Sequence, residues 1–264
     1  MTTATGRMLA LGRAEATLLL RNRTALFTAL LLPPAMVVGL SSALQQQAKD
    51  NPGLDVHASV ISGLAGVILL FVVYYTLTAS YVARRGELVL KRLRTGEARD
   101  AEILLGTSVP AVALALLEVV LLSGIGAVVF DLPVPANPVL LLAGVLLSLA
   151  VLIALAALSS VFTRTVESAG LTTLPLLLVS QLGSGLMFPL EVMPDGLARI
   201  CQSLPTTPGF QLIRLGWFGT DGSAPPTGFL STWGEAWPHL LLGVAWTVAA
   251  AWAARRYFRW EPRR

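Results

Sequence analysis

Few side chains in this 264-residue chain are suited to bond chemistry. It has two histidines, His57 and His239, and one cysteine, Cys201. A metal or hydrolytic centre needs such groups clustered at ligand spacing, and H-E-x-x-H, C-x-x-C and G-x-S-x-G are all absent. The lysines, Lys49 and Lys91, follow Ala48 and Leu90, so the G-K-[ST] of a phosphate-binding loop is missing too. What remains is electrostatic. Glu118 stands alone in ALALLEVVLL, and a carboxylate among leucines at membrane depth is read as a proton, cation or substrate contact, or as a carboxyl hydrogen-bonded to a neighbouring helix. The second feature is RRGELVLKRLRTGEARDAE, residues 84–102. It carries six basic residues (Arg84, Arg85, Lys91, Arg92, Arg94, Arg99) and four acidic ones (Glu87, Glu97, Asp100, Glu102).

The elements that position these charges follow from composition. With 55% hydrophobic and 13% charged residues, the chain lies far from the balance of a soluble domain, where about a quarter of residues are charged. It reads as an all-α integral membrane protein. Apolar runs at 26–44, 60–82, 109–130, 139–162, 169–189 and 237–254 predict six transmembrane helices, because about 20 apolar residues cross a bilayer core. Pro33 and Pro34 predict a kink in the first. Residues 1–23 place Arg13, Thr17 and Arg21 on one helical stripe and predict an amphipathic interfacial helix, with Glu15 interrupting its apolar side.

The stretch 191–236 is neither apolar enough to span nor charged enough to form a soluble domain. EVMPDGLARICQSLP places Leu197, Ile200, Cys201 and Leu204 on one face between Pro194 and Pro205, and PGFQLIRLGWFG is apolar for only two or three turns. Together they predict a re-entrant or interfacial helical hairpin between spans five and six. Charge then orients the chain. With both ends and the loop 84–102 in the cytoplasm, all of the 19 Lys and Arg residues except Lys49, Arg199 and Arg214 fall inside, as the positive-inside rule requires. The expected place is the cell's inner (plasma) membrane, crossed several times. The basic residues flank apolar runs without interleaved aromatics, so they read as topology signals and not as a nucleic-acid surface. One cysteine excludes an intrachain disulfide, and no metal site is expected.

The order of these parts resembles the type-2 ATP-binding-cassette exporter permeases, in particular the daunorubicin-type drug efflux group. RRGELVLKRLRTGEARDAEILLG is similar to the family's loop after its second span, where a short coupling helix docks on the ATPase. GSGLMFPLEVMPDGLARICQSLPTTPGFQLIR is similar to its fifth span running into the outer hairpin, with F-P-x-x-x-M-P followed by P-x-x-P. The resemblance implies a single permease domain over residues 1–264. It implies a separate ATPase subunit that brings ATP and magnesium, with no cofactor held by this chain itself, and a second permease copy or paralogue. It assigns ATPase coupling to Arg92, Leu93, Arg94, Thr95, Gly96 and Glu97, with Arg164 and Glu167 as a second contact. The re-entrant region is assigned to Gly183, Gly185, Phe188, Pro189, Met193, Pro194, Pro205 and Pro208. The cargo it implies is a small amphiphilic drug or natural product. The alternatives are a lipid-linked polysaccharide, or proton-coupled transport through Glu118.

Overall fold

The stretch from Val56 to Gly86 has no proline, and small or apolar side chains dominate it as far as Arg84, so nothing in it stops a helix. In the computed structural model it forms one rod in three parts: α2 (Val56–Ile68), a π-helical segment (Leu69–Tyr75) and α3 (Thr76–Gly86). At the end of the π segment the Phe71 carbonyl accepts both from the Thr76 N–H, five residues on as a wide turn requires, and from the Thr76 hydroxyl at 3.1 Å. The structure describes residues 4–21, 56–96, 98–129, 133–186, 190, 193–221 and 225–261, with positions 27, 30, 31, 35, 39, 42, 45 and 46 besides. Most of the run 26–44, including Pro33 and Pro34, therefore lies outside the described residues, as do Lys49, Glu97, Phe188 and Pro189.

The other elements are α1 (Ala4–Arg21), α4 (Val89–Arg94), α5 (Asp100–Val129), α6 (Pro138–Phe162), α7 (Ala169–Gly183), α8 (Asp195–Gln202), α9 (Thr207–Phe218) and α10 (Thr232–Tyr257). Helices and no strands are found among the described residues, as an all-α membrane protein requires. Among the described residues, four stretches are long and apolar enough to cross a bilayer: Ser62–Gly86, Asp100–Ile125, Pro138–Phe162 and Thr232–Tyr257. In the expected fifth span, 169–189, α7 ends at Gly183, and residues 187–189 lie outside the described residues. Its 15 residues rise about 22 Å against a core of about 30 Å, so α7 by itself falls short of a full crossing.

The centre of the bundle is α6. Asn137 caps it by accepting from Leu140 N at 3.1 Å, and its amide donates to Phe229 O and to the Thr232 hydroxyl at the start of α10. The Asn137 N–H donates to Gly216 O at 2.8 Å, so one fully buried side chain and its backbone join α6, α9 and α10. Glycines let these helices touch along their backbones. A Cβ on Gly144 would lie 2.7 Å from Ile213 N, and one on Gly216 would run into the backbone of Leu141. Ser148 meets Gly209 one turn deeper, so α9 descends antiparallel along the first half of α6. Burial explains how a helix of 12 residues holds its place: Thr207 to Gly216 are all buried.

Candidate functional site

At the end of the rod that carries Arg84 and Arg85, the chain must reverse. It does so at Leu88, which adopts a left-handed conformation (φ 60°) that costs a non-glycine residue about 1 kcal/mol. The turn throws out α4. Leu90 is fully buried beneath it, while Lys91, Arg92 and Arg94 project outward. Thr95 donates its hydroxyl to Arg92 O at 2.8 Å and Gly96 N–H donates to Leu93 O at 3.2 Å, which closes the helix. Leu93, expected as the apolar knob of a docking surface, is half-buried and packs on the chain's own core. The leucine at the surface here is Leu88, 40% exposed at the strained turn.

The base of α4 is clasped from one side by α1. Arg84 Nε donates to Glu15 at 2.8 Å while its Nη1 donates to Glu87 at 2.6 Å. Arg7 forms a fork to Glu102 at 2.9 and 3.0 Å near the start of α5. Glu15, which reads in sequence as a break in an apolar face, is buried where α1 meets the rod and α5. Burial, the largest influence, pushes its carboxyl above the ordinary value of 4.5, and Arg84 acts against that shift. Arg85 is also not in water. It is 1% exposed, and its guanidinium donates to Ser160 O at 2.9 Å and to Thr163 O, capping the end of α6. This ties the end of α3, at the foot of α4, to the loop of Arg164 and Glu167, both exposed. Hydrogen bonds from its own backbone N–H and from the Thr165 side chain hold the Glu167 carboxyl below its usual range.

From the other side, the segment after α10 folds back. Phe258 meets the Tyr81 ring edge-on at 5.9 Å, and Trp260 meets Phe258 at 4.9 Å. The Arg94 guanidinium lies 5.0 Å over Trp260, and Lys91 pairs with Glu261 at 2.7 Å.

At the opposite end, α7 stops at Gly183. A Cβ on Gly183 would lie 2.6 Å from Leu204, so α8 and its exit seat on that glycine. Gly185 is left-handed (φ 79°) and lies beside the Gln211 amide. Met193 N–H donates to Leu190 O, Pro194 caps α8, Pro205 follows it and the buried Pro208 occupies the first turn of α9. Ser180 and Ser184 belong to a chain of buried hydroxyls. Thr206 donates to Ser180 at 3.0 Å, and the Thr207 hydroxyl donates to Cys201 O at 2.6 Å and lies 3.0 Å from the Ser184 hydroxyl. Of the predicted α8 face only Cys201 is buried, whereas Leu197 and Ile200 are exposed. Glu118 is 5% exposed, and its carboxyl oxygens have no hydrogen-bond partner among the described residues. A separate apolar cleft of about 400 Å³ lies between α2, α5, α6 and α9, bounded by Leu116, Val120, Leu141, Val145, Ile213 and Trp217.

The family model for ABC-2 type transporters matches residues 7–218, from the α1 arginine of the clasp to the end of α9. The chain belongs to the ABC-2 type transporter family. It is therefore the permease part of an ABC exporter, a transport component and not a catalytic domain. No curated protein matches the chain.

Within this ABC-2 permease, of the coupling residues inferred from sequence, Arg92, Arg94, Thr95 and Gly96 are exposed on or just after α4, Arg164 and Glu167 are exposed in the loop after α6, Leu93 turns inward and Glu97 lies outside the described residues. Sequence reasoning missed Glu15, Arg7, Arg85 and Trp260. A lone acid in a basic leader was the available signal for Glu15, and the aromatics in RRYFRWEPRR were the signal for Trp260. Nothing in the doublet Arg84-Arg85 distinguishes the buried member from the paired one.

Proposed function

We propose that this permease carries a small amphiphilic molecule out across the cell's inner membrane, in the manner of the daunorubicin-type efflux group. It works as a pair with a second copy or paralogue. A separate ATPase subunit supplies ATP and magnesium and docks on α4. The observation that carries this reading is the contrast between outward Lys91, Arg92 and Arg94 on α4 and a base tied to α1 and α6, with α1 in turn held to α5. A push on such a helix cannot be absorbed locally. It is passed through Arg84 to α1 and through Arg85 to α6, which biases the populations of inward-open and outward-open states. The apolar cleft of about 400 Å³ supports a cargo of drug size and not a polysaccharide.

Arg92 tests this cleanly, because its exposed guanidinium makes none of the ties described above. Arg92→Glu should leave insertion normal, weaken co-purification of the ATPase and lower efflux at least ten-fold, since truncating an interface charge pair costs about 2 to 5 kcal/mol. Undiminished efflux with a normally bound ATPase would overturn the assignment of α4. The buried, unpartnered Glu118 favours a second reading, coupled proton movement. Glu118→Gln should retain ATP-driven efflux in the same assay, and its complete loss in an assembled complex would favour the proton reading.

A further inference from the structure

The segment after α10 lies beyond the stretch that matches the family, which ends at residue 218, and the reading above gives it no role. It is nonetheless built. Trp260 is held between Phe258 and the Arg94 guanidinium, and Glu261 is held by Lys91. Between this segment and α4 opens a recess of about 600 Å³, lined by Lys91, Arg94, Thr95, Arg259, Trp260 and Glu261. Its charges do not cancel. Lys91 is answered by Glu261 and Arg94 by Asp100 at 3.3 Å, but Arg259 is exposed and has no carboxylate partner among the described residues. Arg92, Arg255 and Arg256 are exposed on the same two elements, α4 and the end of α10.

We propose that this recess is the second half of the ATPase-docking surface, and that it receives an acidic segment of the ATPase bearing an apolar side chain. The inference rests on α4 being the docking element. Lys91, Arg94 and Thr95 belong both to α4 and to the recess, so a partner seated on the outer face of α4 necessarily meets Arg259 and Trp260. The surplus of cations repels a basic partner and steers an acidic one. The half-buried Trp260 ring offers the kind of pre-ordered aromatic surface on which interface energy concentrates.

The experiment uses the full-length chain in nanodiscs and the purified ATP-binding-cassette subunit with which it reconstitutes substrate-stimulated ATP hydrolysis. Arg259→Glu breaks no contact described within the chain, and it should weaken association about ten-fold and flatten its salt dependence. Trp260→Ala should weaken association to a similar extent, while Trp260→Phe should restore most of it. If Arg92→Glu weakens binding and both the Arg259 and the Trp260→Ala variants bind like the wild type, the proposal is overturned and α4 stands as the docking element. If Arg92→Glu also binds normally, the docking reading falls first. Should Arg259→Glu alter adsorption of phosphatidylglycerol vesicles but not the ATPase, the recess is a lipid-facing surface and the proposal is equally overturned.

Discussion

The end of the bundle at Asn137 and the end at Arg84 are assembled in opposite ways. At the first, α6, α9 and α10 approach backbone to backbone over Gly144, Gly209 and Gly216, with a buried asparagine as the common tie. At the second, α1, α3, α4, α5 and the segment after α10 are held by side chains across the gap: Glu15 to Arg84, Glu102 to Arg7, Glu261 to Lys91 and Trp260 to Arg94. Backbone contact leaves no slack, because interiors are packed at crystal density and resist small displacements. Ion pairs and ring stacks can part and re-form at modest cost, especially where water reaches them. A transporter needs one region that stays whole and one that yields. The distribution of glycines and charges puts the looser contacts around α4, the element proposed to meet the ATPase.

Three substitutions test this contrast. The largest effect is expected at the glycine-packed end, where Gly216→Leu forces a side chain into the backbone of Leu141. It should cost more than about 3 kcal/mol and abolish properly folded protein, as read by detergent-resistant monodispersity. A well-folded Gly216→Leu variant would mean that α9 is free to move off α6. Next is Arg85→Ala, which leaves Ser160 O and Thr163 O without their cation. It should cost about 2 to 3 kcal/mol in thermal stability, with Arg85→Lys intermediate because an ammonium cannot fork to two carbonyls in the same way.

The smallest effect is expected at Glu15. Its carboxyl is raised above 4.5 by burial, so the folded chain holds that proton more tightly than the unfolded one. This contribution favours the folded state at low pH and is lost as the pH rises through the interval above 4.5. Subtracting the melting profile of Glu15→Gln from that of the wild type should leave a difference that declines with rising pH. A flat difference would mean that Arg84 fully offsets the burial of the carboxyl.

Much of this architecture was legible because a membrane leaves few options. Runs of apolar residues mark α2–α3, α5, α6 and α10, and the charge pattern marks α4. The site was legible only as a patch. Which leucine stays out at α4 is set by the left-handed turn at Leu88, a backbone event with no glycine to announce it. The role of Glu15 depends on a residue 69 positions away, beyond any periodicity within α1. The short reach of α7 was hidden as well. The apolar run continues past Gly183, but the hydroxyls of Ser180 and Ser184 bind the turn into α9 and end the helix there.

The π segment in the rod has a rotational consequence. Each residue of an α-helix advances the chain by about 100°, and a π turn accommodates one residue more than an α turn, so the segment sets the angular phase of everything beyond it. Arg84 faces Glu15 and Arg85 faces the end of α6 only in the present phase. Rewinding Leu69–Tyr75 as ordinary α-helix with the same number of residues would swing α3 by about 100° and present a different side chain to each partner, whereas deleting one residue together with the extra turn width would leave the phase unchanged. The seven residues thus work as a dial. Their winding selects which arginine is sealed inside and which one holds α1, and a segment that tightened there without losing a residue would bring a neighbouring position's side chain to each partner.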